Sequence, residues 1–413
     1  MAAAQPEAAH RADPFVGAVC ALGVGQITAW GTTYYCLGVL AGPIARDTGW
    51  AHALVYFGFT LSLLVMGAVS AAAGRAIDRL GARAVMSAGA LLSSATLLML
   101  SRAQGPAGYL AGWALLGVGM RLSLYDAAFA ALVQVLPSRG RRAISLLTLF
   151  GAFASTVFWL LGHQLDEALG WRQTLAWFAV IHLAVCLPLN WLGLARRETA
   201  PDTRAAAPAP VGRDDRPLQG RDRRIAIALF ALVMSLNGLV FGAVTVQLVP
   251  LLEAAGLATS AAVGVASTKG FAQFGGRLVE IAFGRRLHAM TVARVAIGAL
   301  PWSFVALMLA DGRLQALLVF TLAMGASQGV VTIVRGAVPL ALFGAERYGT
   351  VLGLLAAPVL VVNAASPTLV ALIVDAWGWR AAQAALLGAA AASWLAMEGM
   401  SRWYEGRRCA LST

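Results

Sequence analysis

Residues 107–136 read AGYLAGWALLGVGMRLSLYDAAFAALVQVL, and this stretch indicates what kind of protein the chain forms. It is long and largely apolar, and its only charged residues are Arg121 and Asp126. An α-helix needs about 20 predominantly apolar residues to cross the hydrocarbon core of a bilayer. Strands of a membrane barrel are shorter and alternate apolar with polar residues, which this stretch does not do. It therefore predicts a transmembrane helix.

Stretches of the same kind recur along the whole chain. The composition agrees with this pattern, because 59% of the residues are hydrophobic and only 12% are charged, whereas soluble domains carry about 25% charged residues. The predicted fold is therefore an all-α integral membrane protein embedded in a lipid bilayer. We predict twelve spans, at residues 15–41, 53–73, 84–101, 107–136, 143–163, 174–195, 225–252, 260–283, 289–310, 314–342, 350–374 and 381–400.

The arginines are distributed unevenly between the two sides of the predicted membrane. With the N-terminus in the cytoplasm, most of them fall in cytoplasmic segments, and this positive-inside pattern predicts that both termini are cytoplasmic. The net charge of +12 therefore reflects topology. A nucleic-acid site would need the arginines clustered on one folded surface, so no nucleic-acid partner is expected. The exceptions on the opposite side are Arg46, Arg102, Arg172, Arg313 and Arg380.

One long polar stretch, residues 196–223, divides the predicted spans into six and six. It is rich in Pro, Ala, Arg and Asp, which is typical of a solvated linker without a core of its own. We therefore predict an N-terminal six-helix bundle at 1–195, a cytoplasmic linker, and a C-terminal six-helix bundle with a short cytoplasmic tail at 224–413.

The two predicted bundles repeat short motifs at similar spacing. Residues 74–78 read GRAID and residues 276–280 read GRLVE, while residues 170–172 and 378–380 both read GWR. Offsets of roughly two hundred residues shared by several motifs indicate a duplicated unit. Two parallel six-helix repeats are a recurring plan of secondary transporters, which bind their substrate between the halves.

Residues 74–83, GRAIDRLGAR, carry a family resemblance. They match the pattern G-x-x-x-D-R-x-G-R-R of the major facilitator superfamily, except that Ala82 stands where an arginine is usual. The chain resembles this superfamily over essentially its whole length, and loosely resembles its bacterial monocarboxylate and oxalate–formate branches. The resemblance implies a secondary active transporter that works by alternating access.

The resemblance also implies a conformational latch at the cytoplasmic ends of the bundles. Asp78 and Arg79 would hold the two halves together in the outward-facing state, because a carboxylate binds well near the N-terminus of a partner helix. Gly74, Gly81 and Arg83 complete the motif. Glu280 is its predicted counterpart in the second half.

Four ionisable residues fall inside predicted spans: Arg121, Asp126, Lys269 and Arg335. Since a charge at the centre of a membrane helix costs on the order of 2.5–3.5 kcal/mol, such residues are functional candidates. Three cations against one carboxylate favour an anionic substrate, which Arg121, Lys269 and Arg335 would bind, since arginine matches a carboxylate or phosphate. Asp126 would couple transport to a proton, or pair with Arg335 across the cavity or with Arg121 during the cycle.

A structural role for the same charges is the alternative. Arg121 and Asp126 would then form a pair while Arg335 extends toward the cytoplasmic interface. A separation of five positions places Arg121 and Asp126 well apart around one helix, which weakens a pair within that helix.

Neutral polar residues within the spans extend the candidate substrate site. Gln26, Tyr34, Asn237 and Gln328 lie where this superfamily binds its substrates. Each could equally form an interhelical hydrogen bond, which averages about 0.6 kcal/mol in a membrane.

Two other classes of function fit the sequence less well than transport does. A polytopic membrane enzyme is disfavoured because HExxH, GxSxG and Walker signatures are absent. A non-transporting membrane sensor or scaffold would not need three buried cations. No cofactor or metal site is expected, since the cysteines show no ligand spacing.

Within transport, a proton-coupled carrier of a small organic anion leads. An exporter of small hydrophobic or drug-like compounds by proton antiport is second, because residues 143–159 lack the Gly-Pro motif common in drug antiporters. The arginine-rich composition indicates a bacterial inner (plasma) membrane, and a monomer is expected. The sequence leaves the direction of transport open.

Overall fold

The computed structural model describes residues 13–198 and 217–412, and every regular element in these ranges is helical. The first six spans, in order, are Pro14–Ala29 with the π-helix Trp30–Tyr34 and Leu37–Thr48; His52–Ala68 with Ser70–Leu80; Ala82–Ser101; Pro106–Ser123 with Tyr125–Val135; Gly140–Gly151 with Ala154–Leu169; and Trp171–Gly193.

The remaining six spans are less interrupted. They comprise, in order, Gly220–Ala254; Thr259–Phe283, followed by the 3₁₀ turn Gly284–Arg286; Ala289–Met308; Leu314–Phe343; and a merged helix, Tyr348–Ser412, that contains spans 11 and 12.

By length and hydropathy alone, nine helices in the described ranges could cross a membrane, or ten if the bent pair of span 2 counts as one. The merged helix is one of the nine, although it bends at Gly378 into two spans. Span 8 is absent from that count, and it carries Lys269, Gln273 and Arg277. Each of the twelve predicted spans therefore corresponds to a helix in the structure.

The predicted repeat is visible in the backbone as well as in the sequence. Gly170 has φ 80° and ψ 163°, and Gly378 has φ 79° and ψ 175°. Glycine adopts this region without steric cost, whereas other residues do so rarely. The two GWR motifs therefore form the same tight turn, between spans 5 and 6 and between spans 11 and 12.

The hydrophobic cores follow the same division into two bundles. One core contains buried residues from Leu218 to Tyr404 only, whereas the other two draw mainly on residues before 195. Span 11 is the exception, because Tyr348 and Leu360 pack into the N-terminal cores. The architecture is thus two packed bundles joined along span 11.

Two predicted boundaries differ in detail from the structure. Span 2 was predicted to end at residue 73, but the helix continues to Leu80, and only Gly81 (φ 84°) turns the chain before span 3. Span 7 begins at Gly220, before the predicted domain boundary at 224. Most of the predicted linker, residues 199–216, lies outside the described residues, so the exact domain division stays a prediction.

Candidate functional site

A cavity of about 280 Å³ lies between the two bundles. Spans 1, 2, 4 and 5 contribute its N-terminal wall, and spans 7, 8, 10 and 11 contribute its C-terminal wall. Its volume is just below the range of about 300–1,000 Å³ that is typical of small-molecule sites. The cavity is therefore the candidate substrate site.

The N-terminal wall is aromatic. Trp30 is the centre of a ring cluster, with ring centroids 4.9 Å from Tyr34, 6.0 Å from Tyr35 and 5.1 Å from Tyr125. Tyr125 stacks in turn on Phe129 at 5.3 Å. All five side chains line the cavity.

A π-helix at Trp30–Tyr34 shapes this wall. Thr32 and Thr33 donate hydroxyl hydrogen bonds to the carbonyls four residues earlier, at 2.8 and 2.6 Å, and such bonds bend helices. The amide of Tyr35 donates to the carbonyl of Trp30 at 2.9 Å, five residues back. Single π-helical turns of this kind occur frequently at functional sites, and this one lies beside the cavity.

The C-terminal wall is polar and cationic. It carries three basic side chains, whereas Asp126 is the one carboxylate that lines the cavity among the described residues. Its polar members are Asn237, Thr245, Lys269, Gln273, Arg277, Gln328, Thr332, Arg335 and Asn363.

Span 4 breaks next to the site, and the break corrects one sequence expectation. Leu124 is extended, with φ −81° and ψ −169°, so the first helix ends at Ser123 and a second begins at Tyr125. The break brings Arg121 and Asp126 onto the same side, where Nη1 donates to Oδ2 at 2.8 Å. The expectation that five positions keep them apart was wrong, because it assumed a continuous helix.

Asp126 also joins the two bundles. Nη2 of Arg335 in span 10 donates to the same Oδ2 at 2.6 Å, so Arg335 does not extend to the interface as the structural alternative required. The Asp126 side chain is 2% exposed, and its Oδ1 is buried without a hydrogen-bond partner among the described residues. One oxygen thus accepts from two arginines while the other is unsatisfied.

Arg121 differs from the prediction in its position. It is 1% exposed, it is absent from the cavity lining, and its Nε is also unsatisfied in the described structure. Arg121 therefore contacts Asp126 from behind the cavity wall, out of reach of a substrate.

Lys269 lines the cavity and forms no hydrogen bond or ion pair within residues 13–198 and 217–412. Close packing of span 8 on span 10 positions it. A Cβ added to Gly325 would lie 2.7 Å from the carbonyl oxygen of Lys269, so only glycine permits this approach. Small residues at helix interfaces allow such contacts in membranes.

Arg277 is a cavity residue that sequence reasoning missed, because its motif placed it with the cytoplasmic latch. Its Nη1 donates to the carbonyl of Thr148 in span 5 at 2.8 Å, which bridges the two bundles. A signal was present in the sequence: Lys269, Gln273 and Arg277 are spaced four apart, which places them on one face of a helix.

Gln26 does not line the cavity. It is 1% exposed, donates to the carbonyl of Ser123 at 2.8 Å and accepts from Nε1 of Trp30 at 3.1 Å. Gln26 therefore ties Trp30 to the break in span 4, so its contribution is to orient Trp30, which lines the cavity.

Tyr34, Asn237 and Gln328 all line the cavity, as a substrate site requires. The Tyr34 hydroxyl has no hydrogen-bond partner among the described residues, and neither does Nδ2 of Asn237. Oε1 of Gln328 accepts from Nε2 of Gln273 at 2.6 Å.

On the cytoplasmic side of the cavity, Asp78 contacts the start of span 11. Its two carboxylate oxygens accept from the amides of Gly349 and Thr350, at 2.9 and 2.6 Å, and from the Thr350 hydroxyl at 2.6 Å. A carboxylate at a helix N-terminus satisfies free N–H groups and the helix dipole. Gly74 lies against the backbone of Gly349, so spans 2 and 11 meet closely here.

Glu280 occupies the corresponding place in the second half. Its Oε2 accepts from the Ser145 hydroxyl at 2.9 Å, and its Oε1 lies 3.5 Å from Nη2 of Arg141. Arg141 also donates to the carbonyls of Gly284 and Leu287 at 2.9 Å each. Span 5 is thereby attached to the end of span 8.

The other motif residues make few contacts. Arg79 is exposed and has no partner in the described ranges, whereas the Arg83 guanidinium lies 4.0 Å above the ring of Trp191. The amide of Ala82, next to Gly81, donates to Oε1 of Gln134 at 2.9 Å. Asp78 therefore joins the two halves in this structure, as expected, whereas Arg79 does not.

Within the described residues, every hydrogen bond between the two halves either involves a residue that lines the cavity or lies on the cytoplasmic side of the cavity. They are the bonds of Asp126, Thr148, Asp78, Ser145 and Arg141 described above. In this state the protein is closed toward the cytoplasm.

Comparison with known proteins agrees with this architecture. Solved structures with the same fold include the human organic anion transporter MFSD10 (TETRAN), with a TM-score of 0.72, 17% identity, and coverage of 94% of this chain and 100% of that one. The transporter FucP in its outward conformation has a TM-score of 0.69 at 15% identity, with 94% and 99% coverage. These likenesses establish the fold alone.

Sequence relatives are similar over a shorter region. The multidrug resistance protein MdtL of Escherichia coli O81 is 30% identical over 193 residues, which cover 46% of this chain and 48% of MdtL. MdtL of Klebsiella pneumoniae is 28% identical over 156 residues, or 38% and 39% of the two chains. The chain thus spans about half the length, or less, of the curated relatives it matches.

The family model described as Major Facilitator Superfamily matches residues 22–305, which is more than half of the chain. That match agrees with the 74–83 motif, the two bundles and the central cavity. The protein therefore belongs to the major facilitator superfamily, and its apolar helices are those of a multi-pass membrane protein.

Proposed function

We propose that this protein is a proton-coupled transporter of a small organic anion, and that the anion binds at Lys269 and Arg335. One observation carries the proposal: three cations and a single carboxylate line the cavity in the described structure. Cations without counter-ions are costly inside a membrane protein. An anionic substrate would offset that cost.

Lys269 and Arg335 both line the cavity and have donors to spare. Lys269 has no partner in the described ranges, and Arg335 uses only Nη2 in its bond to Asp126. Arg335 could therefore present its other guanidinium nitrogens to a carboxylate in a two-point arrangement. Arg277 uses Nη1 in its bond to the carbonyl of Thr148, and its Nε has no partner in the described ranges, so it could supply a further donor beside these two residues.

Asp126 is the proposed site of proton coupling. Its unsatisfied Oδ1 is a buried acceptor that a proton would convert into a donor. Protonation would also weaken the ion pairs with Arg121 and Arg335, which releases Arg335 for the substrate and loosens one bond between the halves. Proton binding and substrate binding would then be linked through one side chain.

The test is uptake into proteoliposomes under an imposed pH gradient, with a panel of mono- and dicarboxylates, organophosphates and cationic drugs. We expect an anion to accumulate in the native protein, and Lys269→Gln to abolish accumulation. Arg313→Gln is the matched control, because Arg313 is exposed at the start of span 10 and has no partner in the described ranges. Asp126→Asn should retain exchange of substrate but lose accumulation driven by the gradient.

Export of small hydrophobic or drug-like compounds is the second candidate. The similarity to proteins named multidrug resistance protein MdtL and the aromatic wall both favour it. The same panel separates the two functions. Movement of cationic or neutral compounds only, with normal transport by Lys269→Gln, would reject the anion proposal in favour of export.

A further inference from the structure

The two walls of the cavity differ so strongly that they restrict the shape of the substrate as well as its charge. Among the described residues, all three cations belong to the C-terminal wall, whereas five of the six aromatic residues belong to the N-terminal wall. A molecule that contacts both walls must therefore present an anionic group on one side and a flat apolar surface on the other.

The aromatic wall is fixed in place. The one polar atom of the Trp30 side chain, Nε1, already donates to Gln26, and Gln26 is anchored on Ser123. What Trp30 contributes to the cavity is therefore the carbon surface of its indole ring. The neighbouring rings of Tyr34 and Tyr125, at 4.9 and 5.1 Å, hold this surface from two sides. Ring surfaces held in this way favour offset or edge contacts with another aromatic ring.

The aromatic wall also carries the hydroxyl groups of Tyr34 and Tyr35. Neither Tyr34 nor Tyr35 uses its hydroxyl in a hydrogen bond within residues 13–198 and 217–412. A ring substituent on the ligand could therefore be bound there. The volume of about 280 Å³ suits one ring better than a fused polycyclic compound.

We propose that the substrate class is a single-ring aromatic carboxylate, whose ring packs on Trp30 while its carboxylate binds Lys269 and Arg335. This inference rests on the proposed function, because it specifies the uncharged part of the anionic substrate proposed above. A short aliphatic acid would leave the ring wall uncovered, and an aromatic cation would meet three like charges.

The experiment measures direct binding to the full-length protein purified in detergent, by isothermal titration with three probes. Benzoate carries both the ring and the charge, cyclohexanecarboxylate carries the charge without aromaticity, and benzamide carries the ring without the charge. We expect benzoate to bind at least threefold more tightly than cyclohexanecarboxylate and more tightly still than benzamide. An aromatic contact of about 0.5–1.5 kcal/mol corresponds to about two- to tenfold in Kd.

Substitutions at Trp30 test how much its aromatic ring contributes to binding. Trp30→Leu should weaken benzoate about three- to tenfold and leave cyclohexanecarboxylate nearly unchanged. Trp30→Phe, which loses the same hydrogen bond to Gln26, should retain most of the preference because it keeps an aromatic face. Trp177→Leu is the matched control, since Trp177 is 49% exposed on the outer surface of span 6 and should change neither affinity. If Trp30→Leu and Trp30→Phe have the same melting temperature, unfolding does not cause the difference between their affinities for benzoate.

The possible outcomes separate this inference from the proposed function. If both carboxylates bind equally in the native protein, or Trp30→Leu weakens them equally, the aromatic substrate class is wrong while the anion site stands. If neither carboxylate binds but benzamide does, both proposals fail. Weakening of both acids by Lys269→Gln, together with selective loss of benzoate in Trp30→Leu, would support both.

Discussion

The motifs GRAID and GRLVE occupy corresponding positions in the two halves, yet their acidic residues hold the halves together by different means. Asp78 accepts mainly from backbone amides at the start of span 11. Glu280 accepts a hydrogen bond from the Ser145 hydroxyl and forms an ion pair with Arg141, and both partners belong to span 5. The first contact needs only a helix that begins in the right place, whereas the second depends on two particular side chains.

In this protein the duplicated motif has kept its location in the two halves but not its contact partners. The glycines that precede the two acids diverge in the same way. Gly74 lies against span 11 of the opposite half, whereas Gly276 lies against Ala326 of span 10 in its own half. The first motif is therefore an interface between halves, and the second is partly internal packing.

The largest effect is expected for a methyl group added at these glycines. In Gly74→Ala the new Cβ would lie 2.8 Å from the carbonyl carbon of Gly349, a backbone atom that cannot rotate away. Overpacking of this kind costs about 1–3 kcal/mol, and here separation of the cytoplasmic ends would relieve it. Spin labels are placed at the exposed positions 79 and 346 in a background without native cysteines. Double electron–electron resonance should then give a longer distance between the labels in Gly74→Ala than in the protein with Gly74.

Gly276→Ala should behave differently, because its Cβ would lie 2.9 Å from Cα of Ala326 within one bundle. It should lower the melting temperature without lengthening the distance between the labels. Gly264→Ala is the control for both, since a Cβ there meets no atom within 4 Å. An unchanged label distance in Gly74→Ala would contradict the interface role of Gly74.

The next effect in size is expected for Asp78→Asn. The substitution removes the negative charge opposite the start of span 11, and hydrogen bonds to charged groups contribute about 1.5–3 kcal/mol. We expect the population closed toward the cytoplasm to fall by about tenfold relative to the open population. The same label pair measures this change. Thr350→Val, which removes only the hydroxyl donor, should produce a smaller shift in the same direction.

A weaker effect is expected for Arg141→Gln. The Arg141 side chain is 31% exposed and lies 3.5 Å from Glu280, and such partly exposed pairs contribute about 1 kcal/mol or less. Its hydrogen bonds to the carbonyls of Gly284 and Leu287 are lost with it, which adds to the effect. Because Ser145 still donates to Glu280, the second latch should persist in part. Labels at positions 142 and 286 report this contact. A shift as large as that of Asp78→Asn would show that both latches depend equally on charge.

The smallest effect concerns Asp13, a carboxylate that binds arginine within one half. Hydrogen bonds from Arg139 lower the pKa of Asp13 from 3.8 to about 2. A depressed pKa in the folded state adds stability above the unfolded pKa, and that stability is lost as the pH falls toward 2. In Asp13→Asn the melting temperature should therefore depend less on pH between about pH 4 and 2. The distance between labels at positions 79 and 346 should not change. A label shift would assign Asp13 to the latch.

Much of the fold follows from patterns that are local in sequence. Apolar windows predicted the twelve spans, and the GWR motifs predicted a duplicated unit, which the matching backbone angles of Gly170 and Gly378 support. These predictions succeed because span length and left-handed glycine turns depend on neighbouring residues only. Span 8 shows the limit of the hydropathy pattern, since its cavity-lining polar residues reduce its apolar character.

The candidate site was less accessible to sequence reasoning. The break in span 4 occurs within RLSLYD, which contains neither glycine nor proline, so no local signal announced the contact between Arg121 and Asp126. The role of Gln26 depends on Ser123 and Trp30, and no pattern in span 1 encodes that packing. Which polar residue faces a cavity and which faces a neighbouring helix is decided by tertiary structure.

The three-member charge cluster has a consequence for how the protein is made. Arg121 and Asp126 belong to one span, so they enter the membrane together and neutralise each other without help from later segments. Arg335 is synthesised roughly two hundred residues afterwards, when its partner carboxylate is already in the bilayer. Chains emerge from the N-terminus first. Asp126 is therefore already paired with Arg121 before the second half is synthesised, and it can then bind Arg335 when that half packs against the first.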